Sequence, residues 1–580
     1  MKLFGGPDAN RLFGTASYGV PVPLRRAPNP RIIWVNRRIL YDDPVFRDQA
    51  MSVEQYCDRL IADCAYIVAD KSDAVDSGCV TAMGLADRYG GGGLAGNGGS
   101  GRTVLVNGYL VKGVGRTPLI GIDGDKDHTS GGAYLEEAVR ETIFSEVVAA
   151  EFPHSAVGTI AIIDTGLSVQ WDTKDGPKRE RRVLLVRPAV VRPAHFERAI
   201  GFVSNNALDG LNDLERVRSV ISRCESLLGH AAMLTMINEF WLRWAEQLGY
   251  SVAHRLTQGG NFSSNISIDG RLLDFGTASA LPSWATIVVL DGANLFGHDM
   301  NSLTQAIEST SYNLGRHFDP NLGLPAWRKA VLRRSYEAYW RTFFVEALRL
   351  CGLGRRRAEA LAAGNLARTI ERYLKQAFAH FRSESFDVLV STPTPRIAWD
   401  LADIWGTPAP EYLRALSLCL KAELPQSLWA EADSRAQFFS QPRAILYREE
   451  AKLWIYNAVE RGARDGDHFN SDVARVICKA TAAGRRDGHI DIDGVIPVGF
   501  AVGEQIICSL QRDRLTGSSL AHIEWLESND LHVGSRDRLG FDDVSRGALY
   551  RVRRWQDDNI EFEDERIGCV ACAVSVSGHV

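Results

Sequence analysis

The chain has 580 residues, room for three to five domains at about 100–200 residues each, or for one large two-lobed enzyme with an appended module. Its 45% hydrophobic, 24% charged and 9% aromatic residues exclude a disordered, fibrous or collagen-like chain. With 66 basic and 71 acidic side chains the formal net charge is −5, so no global positive field exists to hold nucleic acid or an anionic membrane.

Met1 to Arg11 carries no apolar run behind Lys2, and nowhere do about 18 apolar residues follow one another without a charge. Neither a secretion signal nor a membrane span is expected. Residues 1 to 50, rich in Pro, Arg and Asn, read as an extended arm, and Met51 to Asp70 as a helix. Together they make a first segment, 1–75. A β-rich lobe is expected over 76–205. It opens with YGGGGLAGNGGSG, Tyr89 to Gly101, in which Gly96, Gly98 and Gly101 form G-x-G-x-x-G. Thr103 to Val106 and Tyr109 to Val111 come next as short strands, with the hairpin dipeptide Asn107-Gly108 between them. Tyr134 to Ala150 sets Leu135, Val139, Ile143 and Val147 at four-residue spacing, with acids and Arg140 on the other side, and reads as an amphipathic helix. Gly158 to Asp164 and Arg182 to Arg187 are β-branched strand candidates around a polar turn at Asp175-Gly176.

Beyond Leu211 helical patterns dominate: Ala232 to Leu248, Ala326 to Cys351, Arg357 to His380, Glu411 to Leu424 and Arg443 to Ala463. A helical lobe with a metal-binding loop is expected over 206–400, and a helical extension ending in a loosely held tail over 401–580. The fold class is α+β, a β-rich lobe followed by a helical lobe, with no run of βαβ units. The ten cysteines are too scattered for a disulfide framework and point to a reduced compartment, the cytoplasm. Cys569 and Cys572 form a single C-x-x-C, which lacks the second pair that tetrahedral zinc requires. His489, Asp491, Asp493 and Gly494 mimic the opening of a calcium loop, but Phe500 stands where its bidentate Glu belongs. The basic clusters Arg328, Lys329, Arg333, Arg334 and Arg355 to Arg357 read as solvated helix faces.

The glycine run taken alone also fits a flexible surface loop. Its neighbours along the chain point to chemistry. The second strand ends at Lys112, and glycine backbone beside a strand lysine suits phosphate oxygens. Protein kinases have the same order, whereas a dinucleotide site needs a helix directly after its glycines. The next helix supplies Glu141, with Glu137 in reserve, to fix the lysine. Further on, NISIDGRLLDFG reads as a hairpin with Asn265 and Asp274 near its ends, two oxygen ligands that suit Mg²⁺.

These segments, with YLVKGVGRTP at Tyr109 to Pro118, Val139 to Glu146, VRPAVVRPAHFE at Val186 to Glu197, and His254, resemble the SelO family of kinase-fold protein adenylyltransferases. The resemblance spans roughly residues 15 to 290. It implies a protein-kinase-like two-lobed fold and a Lys112–Glu141 ion pair, with Mg²⁺ on Asn265 and Asp274. Gly98, Gly101, Arg102, Lys112, Arg187 and Arg192 would bind ATP. The two later arginines would hold phosphates of a nucleotide lying head-to-tail relative to kinases, so that AMP is transferred. Such forks suit phosphate oxygens. SelO relatives often carry a cysteine or selenocysteine near the C-terminus, which makes Cys569 and Cys572 a tail redox pair. The chain departs from the family in four places. Gly124-Asp125-Lys126-Asp127 and Ser130-Gly131-Gly132 replace a second Gly-Asp-Gly-Arg stretch. The Arg187–Arg192 spacing is short, and extra residues lengthen Thr257 to Ser264. Ser264 stands where the family has an aspartate base. These departures mark a divergent branch, similar overall to the SelO-like MchC proteins of microcin maturation.

The expected activity is Mg²⁺- and ATP-dependent adenylyl transfer to a protein, peptide or small carboxylic acid, with no nucleic-acid or membrane partner. Ser264 at the catalytic position favours a carboxylate acceptor, which is ionised at neutral pH and needs no base. The rivals are γ-phosphoryl transfer and a nucleotide-binding pseudoenzyme that acts as a scaffold.

Overall fold

The computed structural model describes residues 18–36, 51–69, 81–91, 97–121, 130–173, 176–203, 213–283, 296–383, 398–440, 451–457 and 469–482. It also describes seven strands between 495 and 575 and single positions between these spans. Gly96, Asp175, Gly124 to Asp127 and His489 to Gly494 lie outside the described residues.

Nine strands build the sheet that positions the site: β1 (Gly19–Arg26), β2 (Arg31–Val35), β3 (Tyr66–Val68), β4 (Ala82–Asp87), β5 (Thr103–Val106), β6 (Tyr109–Lys112), β7 (Ala133–Tyr134), β8 (Ala161–Thr173) and β9 (Gly176–Pro188). Their order is β2-β8-β9-β6-β5-β4-β1-β3, with β7 also on β9, and every pairing is antiparallel. The β5–β6 hairpin forms as its sequence dictates. Asn107 and Gly108 take φ of 48° and 87°, the left-handed pair that a two-residue turn requires.

The arm expected over residues 1 to 50 is, from Gly19, part of this sheet. Val20, Val22 and Leu24 point inward with period two, and Pro21 and Pro23 alternate with them. β3 pairs with β1 only from Leu24 onward, so both prolines sit where one side of the strand has no ladder to break. β1 pairs with β4 and β2 with β8, so residue 75 separates no packed unit.

The sheet is covered on both faces. Helix α1 (Val53–Cys64), opened by a Ser52–Gln55 capping box, packs Tyr56 and Leu60 with Leu24, Val104 and Val111. Helix α2 (Leu135–Glu151) covers the other face, where Val139, Ile143 and Val147 meet Leu105, Leu110 and Leu185. This same cluster continues into the helical part through Trp241 and Trp244. α2 is not the amphipathic helix that its spacing predicts. Arg140, Glu141, Glu146 and Glu151 are buried too, because residues far along the chain, such as Val473 and Ile477, join its cluster.

The helical part comprises α3 (Asp213–Leu228), α4 (His230–His254), α5 (Met300–His317), α6 (Pro325–Leu350), α7 (Arg355–Ala363), α8 (Ala367–Ser383), α9 (Glu411–Glu423), α10 (Trp429–Phe439) and α11 (Phe469–Ala482), with the two-stranded β10 (Leu256–Thr257) and β11 (Ser279–Ala280) between α4 and α5. Gly364 splits the helix expected over Arg357 to His380 into α7 and α8. Of the helix expected over Arg443 to Ala463, residues 451–457 are helical. A second core cluster joins Leu348, Leu374 and Phe378 to Trp399, Leu413 and Phe439, so the chain does not divide at residue 400.

The expected helical extension and tail are corrected beyond Ala482. There β12 (Val495–Val502), β13 (Ile506–Asp513), β14 (Ser519–Glu527), β15 (Asp530–Leu539), β16 (Ala548–Gln556), β17 (Asn559–Asp564) and β18 (Cys569–Ser575) form a sheet ordered β15-β14-β13-β12-β16-β17-β18, in which only β12 and β16 run parallel. The acidic composition concealed a strand period, for Ile560 and Phe562 alternate with Glu561 and Glu563 in β17 (Asn559–Asp564). Cys569 and Cys572 lie in β18 (Cys569–Ser575), in register with Asp564 and Phe562. Among the described residues no helix is long and apolar enough to cross a membrane.

Candidate functional site

Register sets the floor of the site. Lys112 lies opposite Leu185 of β9, and Leu110 opposite Arg187, so Lys112 and Arg187 share the face that α2 covers. On α2, Glu137 and Glu141 are one turn apart and meet this face together. The Lys112 ammonium donates to Glu141 Oε2 at 3.0 Å and lies 3.1 Å from Glu137 Oε1 and 3.3 Å from Asp274 Oδ1. Arg187 donates to the other Glu141 oxygen at 2.5 Å, and the Phe275 N–H reaches that oxygen at 3.2 Å. Arg102 forks both oxygens of Glu137, at 2.6 and 3.0 Å. The reserve acid thus has a definite role, tying Arg102 to Lys112.

These cations set the protonation of the acids. Burial would raise Asp274, but the charges of Lys112, then Arg187 and Arg102, hold its carboxyl well below the usual range. Burial likewise opposes ionisation of Glu137, and Arg102 and Lys112 outweigh it. Asp274 has φ +64°, a strained backbone that aims a carboxylate 40% open to the cavity.

Asn265 lies on the facing loop. Its amide N–H donates to Gly260 O at 2.8 Å, which leaves Oδ1 turned toward the Ser264 hydroxyl at 3.5 Å. The Leu273 N–H donates to Asn265 O at 3.0 Å, and Gln258 Nε2 bonds the carbonyls of both Asn265 and Leu273, closing the hairpin that the sequence predicts. Among the described residues no three His, Cys, Asp or Glu side chains cluster as a metal cage. Asn265 and Asp274 both line the cavity described below, each an oxygen donor of the kind that hard cations take.

Arg192 enters from the other side, its guanidinium on Ser264 O at 2.8 Å, 3.3 Å from Asp87 Oδ2, and 4.8 Å from the Tyr89 ring centre. His195 accepts the Arg192 backbone N–H on Nδ1, so its Nε2 carries the proton that it donates to Asp87 at 2.9 Å. Burial holds this imidazole neutral, below its ordinary value. Asp87 thereby fixes Arg192, a role without a sequence signal.

These groups surround a cavity of about 500 Å³ lined by Gly101, Arg102, Lys112, Arg187, Arg192, Asn265 and Asp274. Six cationic side chains line it, Arg140 and Arg448 included, against the two carboxylates of Glu137 and Asp274. Leu110, Val157, Val190 and Leu273 give it an apolar wall. Of the other expected residues, Glu141 is buried behind Lys112. Gly98 lies outside, where a side chain would strike the Phe202 ring at 2.7 Å. In the glycine turn the N–H groups of Gly98 and Ser100 donate to Leu119 O and Asp87 O, while Gly99, Ser100 and Gly101 line the cavity. Ser264 adjoins Asn265 but does not line the cavity. The acids Glu197 and Asp299 are buried near this loop, beside Ser263 and Asn261 respectively, and do not line the cavity either. His254 is structural, bonded to Glu346 at 2.9 Å and stacked on Tyr250. No family model matches the chain, and no curated protein matches it.

Proposed function

We propose that the cavity binds Mg²⁺·ATP and that the chain, a divergent SelO-like protein of two-lobed kinase fold, transfers AMP to an acceptor carboxylate. The observation that carries this reading is the Lys112 junction, where one ammonium joins Glu141, Glu137 and Asp274 on the floor of a cavity richer in cations than acids. The chain order of glycine turn, strand lysine, helix glutamate and Asn/Asp hairpin supports the kinase-like likeness. The divalent ion, on Asn265 and Asp274, would neutralise charge on the phosphates. Lys112, Arg187 and Arg192 hold the phosphate chain, and the apolar wall excludes water from the adenine ring.

Adenylyl transfer to a hydroxyl needs a general base, and the described residues of the cavity offer none. Its two carboxylates are both held ionised below the usual range by neighbouring cations, which makes them weak bases. A carboxylate acceptor needs no deprotonation. Its oxygen attacks the α-phosphorus, the bond to the bridging oxygen breaks, and pyrophosphate leaves with the electron pair. The product is an acyl-adenylate, ready for coupling. Hydroxylamine added to turnover mixtures tests this. The proposal expects a hydroxamate, and a stable phosphodiester on Ser, Thr or Tyr overturns it. A nucleotide-binding scaffold, which the missing base also favours, would bind ATP and give no AMP-bearing product.

A further inference from the structure

Two cations of the cavity wall take no part in the network around Lys112. Arg140 precedes Glu141 on α2, and Arg448 comes from the chain 308 positions later, yet both line the same cavity. Arg140 is 8% exposed, and the Nε–H groups of both arginines are buried without an acceptor. Neither guanidinium has a hydrogen-bond or ion-pair partner among the described residues. Three acids act on Arg140 without forming a hydrogen bond or ion pair with it, Glu136 first, then Glu137, which the Arg102 fork holds, and Glu141, which lies between Lys112 and Arg187. Burial first, then the charge of Arg448, lowers Arg140 from its ordinary value, so the two cations act against each other. A buried guanidinium N–H without an acceptor beside a like charge opposes folding, and buried charges are ordinarily paired. Arg448 is nonetheless anchored, its backbone N–H on Ser279 Oγ at 3.1 Å, in the strand just past Asp274-Phe275-Gly276.

We propose that Arg140 and Arg448 form an oxyanion subsite for a terminal phosphate dianion, separate from the Arg102, Lys112, Arg187 and Arg192 clamp. Two guanidinium charges match a dianion, whereas a carboxylate would leave one uncompensated. The subsite rests on the adenylyl-transfer reading only for its occupant, which would be the terminal phosphate that departs in pyrophosphate. The anion chemistry stands on the two arginines.

Inorganic pyrophosphate, titrated calorimetrically into the full chain without added metal, tests it. Arg448→Gln and Arg140→Gln should each weaken pyrophosphate about 10-fold or more, as expected for a lost charge-assisted bond. Arg448→Lys should fall between. Without anion, both Gln variants should melt at or above the parent temperature, because a repulsion is removed. An arginine with a structural role would lower it. Pyrophosphate should raise the parent melting temperature more than that of either variant. Pyrophosphate affinity within twofold of the parent in both variants, or no binding by the parent, overturns the subsite. If the variants lose pyrophosphate while the parent forms no AMP-bearing product, the adenylyl-transfer reading fails and the subsite stands.

Discussion

Replacing Lys112 by alanine separates structure from function at the centre of the site. The ammonium touches Glu141, Glu137 and Asp274 at 3.0, 3.1 and 3.3 Å. Cutting a buried pair with nothing to replace the partner costs about 3–5 kcal/mol. Here Glu137 keeps the Arg102 fork, and Glu141 keeps Arg187 and the Phe275 N–H. Asp274 loses the cation that acts on it most, but its carboxylate is 40% open to the cavity. The stability loss should therefore be smaller, about 1–2 kcal/mol, seen as a fall in melting temperature of roughly 1–2 °C for a chain of this size. Transfer should suffer more. Losing a donor aimed at developing charge typically costs about 3–4 kcal/mol, on the order of 100- to 1000-fold in rate. Thermal unfolding and AMP transfer measured on one preparation separate the two effects. Full transfer by the variant would show that the site is misassigned, and loss of cooperative unfolding would make Lys112 a folding residue instead.

Glu197 supplies a pH test. Burial pushes its carboxyl up to about 7, against hydrogen bonds from Ser263 and Ser309. The unfolded chain releases that proton at about pH 4.3, so this contribution to stability is full below about pH 4 and falls by roughly 3 kcal/mol as pH rises to about 7. Glu197→Gln should therefore gain on the parent between pH 5 and pH 8 in denaturant titrations; an equal difference at both values refutes the assignment. Gly99, at φ +147°, would bring a Cβ to 2.3 Å from Asp87 O, whereas Gly176, at φ +109°, has open space around it. Gly99→Ala should cost more stability than Gly176→Ala, about 1 kcal/mol for the latter. Equal losses would mean that the glycine turn is not held against β4 as described.

The hairpin turn, Lys112, Glu141 and the Asn265–Asp274 hairpin were legible because each is a local pattern and their chain order is shared with kinases. β1 was hidden by Pro21 and Pro23, which read as an arm although Val20, Val22 and Leu24 alternate between them. The burial of Arg140, Glu146 and Glu151 on the polar side of α2 was not legible, since Val473 and Ile477 join its cluster from more than 300 residues away. Asp87 and Arg448 lie in no motif, and only folding brings the first to Arg192 and the second to the cavity wall. Gly98 shows the opposite case, a motif glycine that lies outside the cavity and whose Cβ position is closed off by the Phe202 ring. In β17 a period of two was present but masked by its acidic composition.

The most direct measurement traces ATP labelled separately at the α and γ phosphates, incubated with Mg²⁺ and the full chain, with Asp274→Ala alongside. The α label should appear in product, the γ label should not, and Asp274→Ala should abolish transfer while still unfolding cooperatively. Clean γ transfer would make the chain a kinase, and α labelling unchanged in Asp274→Ala would remove the metal site from the cavity.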